Sequence, residues 1–317
     1  MKPMMKKIAS LKTRLLLPVM VAVASLTATA HAAAPGITGP TFNLTAQPAF
    51  LNQPDGSTVY SWGYGCNGAP GGFVPAAITN ATCPSMQVPG PTMVVTEGQT
   101  VTVNLTNNLP TPAGNTSILF PGFNVTPTGG VAGLMTKEAA PGATVSYTFT
   151  AAKPGTHSYY SGTQGDLQVE MGLYGAIIVL PASVPSTCTS GLHAANLTAE
   201  AHWGESDFRL SQAAYDHPAT CYDREYLFQF SEMDANIHAT ALAQVAALGS
   251  CTAGAAGCSL EVPTEPYHPA YFMINGRSMP DDMDANYEVE YPHQPYNGNP
   301  HMHPGEMVLL RIIGQGR

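Results

Sequence analysis

Two histidines near the end of this 317-residue chain have a spacing that could bind a metal ion. His301 and His303 flank Met302, and an extended segment would place both imidazoles on the same side of the backbone. His293 lies eight residues before His301. Imidazole and thioether groups together are a plausible ligand set for copper. The methionines close in sequence are Met279, Met283, Met302 and Met307.

The same segment also suits an exposed turn whose histidines bind nothing. Pro300 and Pro304 bracket it, and the sequence identifies no partner that would orient the imidazoles. We therefore take His293, His301 and His303 as candidate metal ligands and assign no catalytic or cofactor-binding residue.

Other kinds of chemistry have little support in the sequence. It contains no nucleotide-binding loop, nucleophilic-serine motif or zinc-protease motif. Charged residues make up only 10% of the chain, whereas nucleic-acid-binding proteins present clustered basic residues. We expect no nucleic-acid partner.

Two longer segments resemble a known family. Residues 88–110 read VPGPTMVVTEGQTVTVNLTNNLP, and residues 155–179 read GTHSYYSGTQGDLQVEMGLYGAIIV. Both resemble the first domain of multicopper oxidases, and residues 271–280, YFMINGRSMP, resemble the second domain. The resemblance covers residues 85–182 and 271–317. It implies cupredoxin-type sandwiches, substrate oxidation at one copper and oxygen reduction at a trinuclear copper cluster.

The resemblance also shows where copper ligands are missing. Two histidine pairs of the family's first domain fall on Leu119 and Pro121, and on Tyr160 and Gly162. Leucine, proline and glycine side chains have no donor atom, and tyrosine does not replace imidazole at such a copper. The chain is most similar to a bacterial branch with a ligand-free first domain and copper motifs nearer the C-terminus. We expect no copper cluster in the first domain.

The elements that must position these residues are predicted to be short strands. The chain has 31 glycines and 28 prolines, with alternating apolar and polar residues between the turns, a pattern typical of β-sandwiches and barrels. One helix is expected over residues 234–248, which are rich in alanine. Together with the resemblance, this predicts an all-β, cupredoxin-like Greek-key sandwich. The predicted strands are Met93–Thr96, Thr100–Thr106, Thr144–Thr150 and Ala176–Leu180.

A weak internal repeat predicts two domains. Residues 96–105 and 303–312 each combine a glycine turn with an apolar strand, and Asn275-Gly276 predicts a hairpin. We expect a complete domain over residues 33–182 and an incomplete one over residues 183–317. An incomplete sandwich would expose a sheet edge and an apolar face. A missing C-terminal copper domain or another subunit would cover them.

Residues 1–32 have the features of an export signal. Basic residues precede the apolar run Leu15–Leu26, and Ala30-His31-Ala32 forms a cleavage site. The run is too short to span a bilayer. We expect a mature protein without a membrane span, located in the periplasm or outside the cell. Because five of the 12 basic residues and none of the 21 acidic residues lie in this segment, the mature protein is acidic.

The six cysteines fit an oxidising compartment. An even number in an exported chain favours disulfides over metal ligands. Six cysteines allow 15 pairings, and the sequence does not decide among them. Proximity along the chain suggests Cys66–Cys83, Cys188–Cys221 and Cys251–Cys258.

Three functions are compatible with these observations. The leading hypothesis is the N-terminal, two-domain portion of a copper-dependent oxidase, in which this chain alone is an inert scaffold that binds no copper. The alternative is an exported copper-binding or metal-handling module that uses His293, His301 and His303 without catalysis. A two-domain copper reductase ranks last, because the cysteines lack the downstream histidine of a Cys-His-Met copper site.

Overall fold

The computed structural model describes residues 33–315, which form predominantly β-structure. The predicted export signal, residues 1–32, lies outside the described residues. The strands are β1 (Gly36–Thr38), β2 (Thr41–Asn52), β3 (Thr58–Cys66), β4 (Phe73–Val74), β5 (Met93–Thr96), β6 (Thr100–Asn107), β7 (Thr126–Gly129), β8 (Val131–Ala132), β9 (Lys137–Glu138), β10 (Thr144–Thr150), β11 (Gly155–Tyr160), β12 (Tyr174–Leu180), β13 (Arg224–Met233), β14 (Tyr271–Ile274), β15 (Arg277–Ser278) and β16 (Val308–Gly314). The α-helices are α1 (Gly165–Gln168), α2 (Gly191–His202) and α3 (Ala235–Leu248), and short 3-10 helices span Thr111–Ala113, Ser186–Thr189, Pro218–Thr220 and Asp281–Met283.

Two five-stranded sheets form a sandwich. Sheet A has the order β11-β12-β5-β1-β4, and sheet B has the order β3-β2-β6-β10-β7. The alternation in β6 places Val101, Val103 and Leu105 in the core between the sheets. The four strands predicted from alternation are confirmed, and the all-β, cupredoxin-like sandwich is the observed architecture.

A third sheet packs on the outside of sheet A. Sheet C has the order β15-β14-β13-β16, and its Leu227 and Ile313 contact Ala176 and Ile178 of β12. The neighbouring β12 residue Ile177 points into the sandwich core. Strand β12 is therefore buried on both faces, which explains its nearly continuous apolar sequence.

Sheet C repeats part of the topology of sheet B. In each sheet a long strand, β2 or β13, pairs in antiparallel fashion with the next strand in the chain, β3 or β14, and in parallel with a later one, β6 or β16. The predicted hairpin at Asn275-Gly276 is confirmed, because Ile274 pairs with Arg277 across these two residues. Both hairpin residues have positive φ angles, 54° and 82°, as a type I′ turn requires.

Helix α3 follows the sequence prediction closely. The Asp234 side chain accepts a hydrogen bond from the Asn236 amide and so caps the helix. Ile237 and Ala241 pack into the core of the sandwich. Residues after 182 thus contribute to the core of the sandwich formed by residues 33–182. The division into domains at residue 182 stays a prediction.

Helix α2 differs from what the sequence suggested for this segment. A strand was expected at His202, beside Trp203, but His202 is the last residue of helix α2. Alanine and leucine favour helix throughout residues 191–202. The helix C-cap is Trp203, and the φ of 82° at the following Gly204 suits the left-handed position after a helix C-terminus.

All three suggested disulfides are confirmed, as Cys66–Cys83, Cys188–Cys221 and Cys251–Cys258. None of the helices formed by residues 33–315 has the length and apolar character that a membrane crossing requires.

Candidate functional site

The positions that the family resemblance assigns to copper ligands lie together in the structure. The Leu119 amide donates a hydrogen bond to the Tyr160 carbonyl at 2.8 Å, and the Tyr160 amide donates one to the Leu119 carbonyl at 3.3 Å. A β-carbon added at Gly162 would lie 2.7 Å from Leu119 Cγ. Leu119 therefore fills the space in front of Gly162.

The surroundings of this cluster provide hydroxyl groups and hydrocarbon. Ser117 Oγ accepts a hydrogen bond from the Gly162 amide at 3.2 Å and lies 2.9 Å from Thr163 Oγ1. Leu119 and the exposed Pro121 line a cavity of about 390 Å³ whose other walls are mainly apolar. Because no imidazole or thiolate occupies these four positions, they do not fit a trinuclear copper cluster.

The neighbouring Tyr159 is a packing residue. Tyr159 is fully buried, and its hydroxyl donates a hydrogen bond to the Pro91 carbonyl at 2.8 Å. Its ring lies 5.7 Å from the Tyr64 ring and 6.1 Å from the Phe120 ring. Burial raises the pKa of Tyr159 well above its usual value, so the phenol stays neutral.

His157 is the histidine nearest in sequence to these positions, and its environment is apolar. Its ring packs against Phe123 with centroids 4.6 Å apart. Its Nε2 is buried and has no hydrogen-bond partner among the described residues. Burial lowers the pKa of His157 below 6.5.

A second cluster combines two predicted ligands with a residue that the sequence analysis did not select. Glu205 Oε1 lies 3.2 Å from His301 Nε2 and 3.0 Å from His303 Nε2. The potential ligand atoms of Glu205, His301 and His303 all lie within 4.8 Å of one another. Glu205 directly follows the Gly204 turn that ends helix α2, while both histidines lie in the extended segment before β16.

A buried guanidinium group orients the carboxylate of this cluster. Arg224 on β13 donates a hydrogen bond to Glu205 Oε2, and it donates two to Glu306, each 3.1 Å long. Burial opposes ionisation of Glu205, but the hydrogen bonds and charges of Arg224 and His303 outweigh it and lower the pKa of Glu205 to about 2. Glu205 is therefore a carboxylate at neutral pH.

The remaining predicted ligand, His293, has a different position. Its Nδ1 lies 2.8 Å from the Met86 carbonyl oxygen, and its own carbonyl accepts a hydrogen bond from Val88. These contacts attach its loop to the sandwich. His293 does not belong to the cluster of Glu205, His301 and His303. The nearby methionines are exposed at the surface; they are Met279, Met283, Met302 and Met307.

One face of sheet C is apolar and exposed. We call it the outer face and define it by Phe228, Phe230, Phe272, Leu310 and Ile312, which strand register places on one side. Phe272 is 67% exposed and Ile312 is 62% exposed. A cavity of about 620 Å³ opens beside Phe230 and Phe272. The sequence-based expectation of an incomplete second sandwich predicts an exposed apolar face, but the division into domains itself stays a prediction.

Comparison with known proteins confirms the family resemblance over part of the chain. Residues 77–183 match the family model described as multicopper oxidase. The chain is 38% identical over 98 residues to an L-ascorbate oxidase of Brassica rapa subsp. pekinensis, a match that covers 29% of this chain and 16% of that protein. It is 36% identical over 98 residues to multicopper oxidase MCE of Talaromyces pinophilus, covering 30% and 15% respectively. The match thus spans a small part of each relative.

Solved structures give a weaker likeness over more of the chain. A copper nitrite reductase from Nitrosomonas europaea has a TM-score of 0.48 and 21% identity, covering 88% of this chain and 68% of that one. A blue copper oxidase from Nitrosomonas europaea has a TM-score of 0.48 and 18% identity, covering 87% and 61%. At these values the likeness carries no argument about function.

The first prediction concerns the contact between Leu119 and Gly162. Gly162→Ala should lower the free energy of unfolding by about 1 to 3 kcal/mol, because its methyl group would collide with the leucine side chain. In a Leu119→Ala background the same change should cost less, since the space is then open. Urea denaturation of the four proteins measures the coupling. Additive effects would show that these side chains do not share the space.

The second prediction concerns His157. Because its pKa is lowered in the folded state, the unfolded chain binds a proton below about pH 6.5 before the folded chain does. The free energy of unfolding should therefore fall more steeply from pH 7 to pH 5 in the wild type than in His157→Phe, which keeps a ring against Phe123.

Denaturant titrations of both proteins at several pH values measure this difference. One proton limits it to about 1.4 kcal/mol per pH unit, and the partial exposure of the ring keeps it well below that limit. Carboxylates contribute equally to both proteins, so parallel pH profiles would contradict a lowered pKa of the half-buried His157.

Proposed function

Because residues 77–183 match the multicopper oxidase family model and have no imidazole at the four positions that the resemblance assigns to ligands, we propose that this chain is the non-catalytic N-terminal part of a multicopper-oxidase-type protein. It shapes and supports an assembly whose copper centres lie on other polypeptide segments. In that assembly, copper-dependent oxidation of a substrate is coupled to the reduction of oxygen.

The packing of Leu119 against Gly162 is the observation that carries this proposal. A histidine at position 162 would need the space that the leucine side chain occupies. The paired backbone of Leu119 and Tyr160 holds both residues at this place without a metal. The domain thus retains the position of a ligand cluster and fills it with hydrocarbon.

The outer face of sheet C indicates how the chain joins the assembly. Isolated apolar residues are common on protein surfaces, but a contiguous apolar face is typical of an interaction surface. The partner that packs on the outer face would be a further β-sheet with its own apolar face, since two sheets pack well at about 10 Å separation. The curated relatives extend far beyond the matched 98 residues, and so have chain available for such a sheet.

An extracytoplasmic location belongs to the same proposal. Three disulfides suit an oxidising compartment, and residues 1–32 have the features of an export signal. The protein would act in the periplasm or outside the cell.

The third prediction tests the absence of catalysis. The disulfide-bonded chain, supplied with copper and then dialysed, should consume no oxygen above background with a phenolic substrate, because its first domain cannot hold the oxygen-reducing cluster. An oxygen electrode measures the rate, and a copper-free sample gives the background. Consumption proportional to the concentration of the chain would contradict the proposal, whereas bound copper without consumption would not.

The fourth prediction tests the outer face. The isolated chain should self-associate as its concentration rises, because the uncovered apolar face finds another copy. The double variant Phe272→Lys/Ile312→Lys should remain monomeric in analytical ultracentrifugation without loss of thermal stability, since both side chains are exposed.

Val289→Lys is the matched control, because Val289 is 82% exposed and lies outside the outer face. It should self-associate like the wild type. A wild-type chain that stays monomeric at high concentration, or a control that behaves like the double variant, would argue against the outer face as an interaction surface.

A further inference from the structure

We propose that Glu205, His301 and His303 form a three-ligand site for a divalent transition-metal ion, either zinc or copper. Two imidazoles and a carboxylate are ligands that both ions accept. The site is separate from the ligand positions of the multicopper oxidase domain, and it does not depend on the function proposed above.

The distances suit a bound ion. A tetrahedral ion with bonds of about 2.1 Å separates its ligand atoms by about 3.4 Å. Glu205 Oε1 lies 3.0 Å from His303 Nε2 and 3.2 Å from His301 Nε2. Movements of a few tenths of an ångström would therefore admit the ion, which would replace the protons that hydrogen-bond the imidazoles to the carboxylate.

The backbone of both histidines is held in place. The His301 amide donates a hydrogen bond to the Tyr226 hydroxyl at 3.1 Å, and that hydroxyl donates one to the His301 carbonyl. The His303 amide donates a hydrogen bond to Glu306 Oε2 at 2.7 Å. The imidazoles thus extend from a fixed segment, which lowers the entropy cost of binding an ion.

Arg224 orients the third ligand. It holds Glu205 Oε2 and so leaves Oε1 directed at the two imidazoles. Hydrogen-bonding partners that orient a metal ligand in this way raise metal affinity. Arg224 is itself buried between Glu205, Glu306 and Glu200. When at least two of these three carboxylates are ionised, their negative charge exceeds the single positive charge of the guanidinium. The net local charge is then negative, which favours the binding of a cation.

The site would keep a coordination position open. The side chain of His301 is 45% exposed and that of His303 is 25% exposed, whereas Glu205 is 12% exposed. The Trp203 ring packs 4.2 Å from the His303 ring and covers one side. Three protein ligands leave a fourth position for water or for a partner's side chain. Hard cations such as magnesium prefer sites made entirely of oxygen and should not compete.

Isothermal titration calorimetry of the full chain with zinc, copper(II) and magnesium, each supplied alone, tests the proposal. We expect one zinc or one copper ion per chain and no magnesium. His301→Ala and His303→Ala should abolish saturable binding, and Glu205→Gln should weaken it at least about 10-fold. Binding of only one of the two transition metals supports the site and identifies its ion.

His202→Ala and His293→Ala are matched controls. Each removes an imidazole outside the cluster, and both should bind metal like the wild type. Circular dichroism of each variant establishes that it is folded. Wild-type chain that binds neither ion would overturn the proposal. So would binding that persists in His301→Ala and His303→Ala, or binding that is lost in the controls.

Nuclear magnetic resonance of the imidazole nitrogens provides a second readout that needs no variant. Zinc should shift the Nε2 resonances of two histidines and remove their attached protons, because a metal-bound nitrogen carries none. If zinc binds but every imidazole keeps its resonance positions, the cluster is held by hydrogen bonds alone and the proposal is wrong.

Discussion

Burial of strand β12 on both faces is the constraint on which the rest of the structure depends. Ile177 and Val179 point into the sandwich core, while Ala176 and Ile178 contact sheet C. A polar residue at any of these positions would lose its water without gaining a partner. The interface also contains an ion pair between Glu225 and Arg311, 2.8 Å long and almost fully buried. Sheets B and C are thereby fixed on opposite sides of strand β12, and the apolar outer face of sheet C is directed away from sheet A.

The packing of the first sandwich does not rely on ligands at the four positions that the family resemblance assigns to copper. The first sandwich is stabilised by apolar contacts between sheets A and B and by the Cys66–Cys83 disulfide, and none of these interactions requires a metal. At two of the positions that the family resemblance assigns to imidazoles, the leucine side chain of Leu119 packs against Gly162. An unfilled cavity at these positions would destabilise the fold. A large apolar side chain beside a glycine fills that space. The sandwich fold is thus formed without imidazoles at these four positions.

Sequence alone predicted most of the local structure and little of the second site. Alternating residues identified β6 and β10, Asn275-Gly276 identified a hairpin, and proximity suggested all three disulfides. These features depend on neighbours in the chain. Glu205 was not identified because 96 and 98 residues separate it from His301 and His303. The signal that could have helped is the helix-forming sequence before Gly204, which places Glu205 at a helix end. Exposure of the outer face was expected from the repeat, but the packing of α3 into the sandwich core follows from tertiary contacts that no local pattern contains.

An anomalous difference map from a copper-soaked crystal of the full chain, recorded at the copper absorption edge, would test the central claim most directly. The account predicts no peak at bonding distance from Leu119, Pro121, Tyr160 or Gly162. If the ion of the second site is copper, a peak lies about 2 Å from the Nε2 atoms of His301 and His303. A copper peak beside Tyr160 and Gly162 would contradict the claim that hydrocarbon packing has replaced the copper chemistry of the first sandwich.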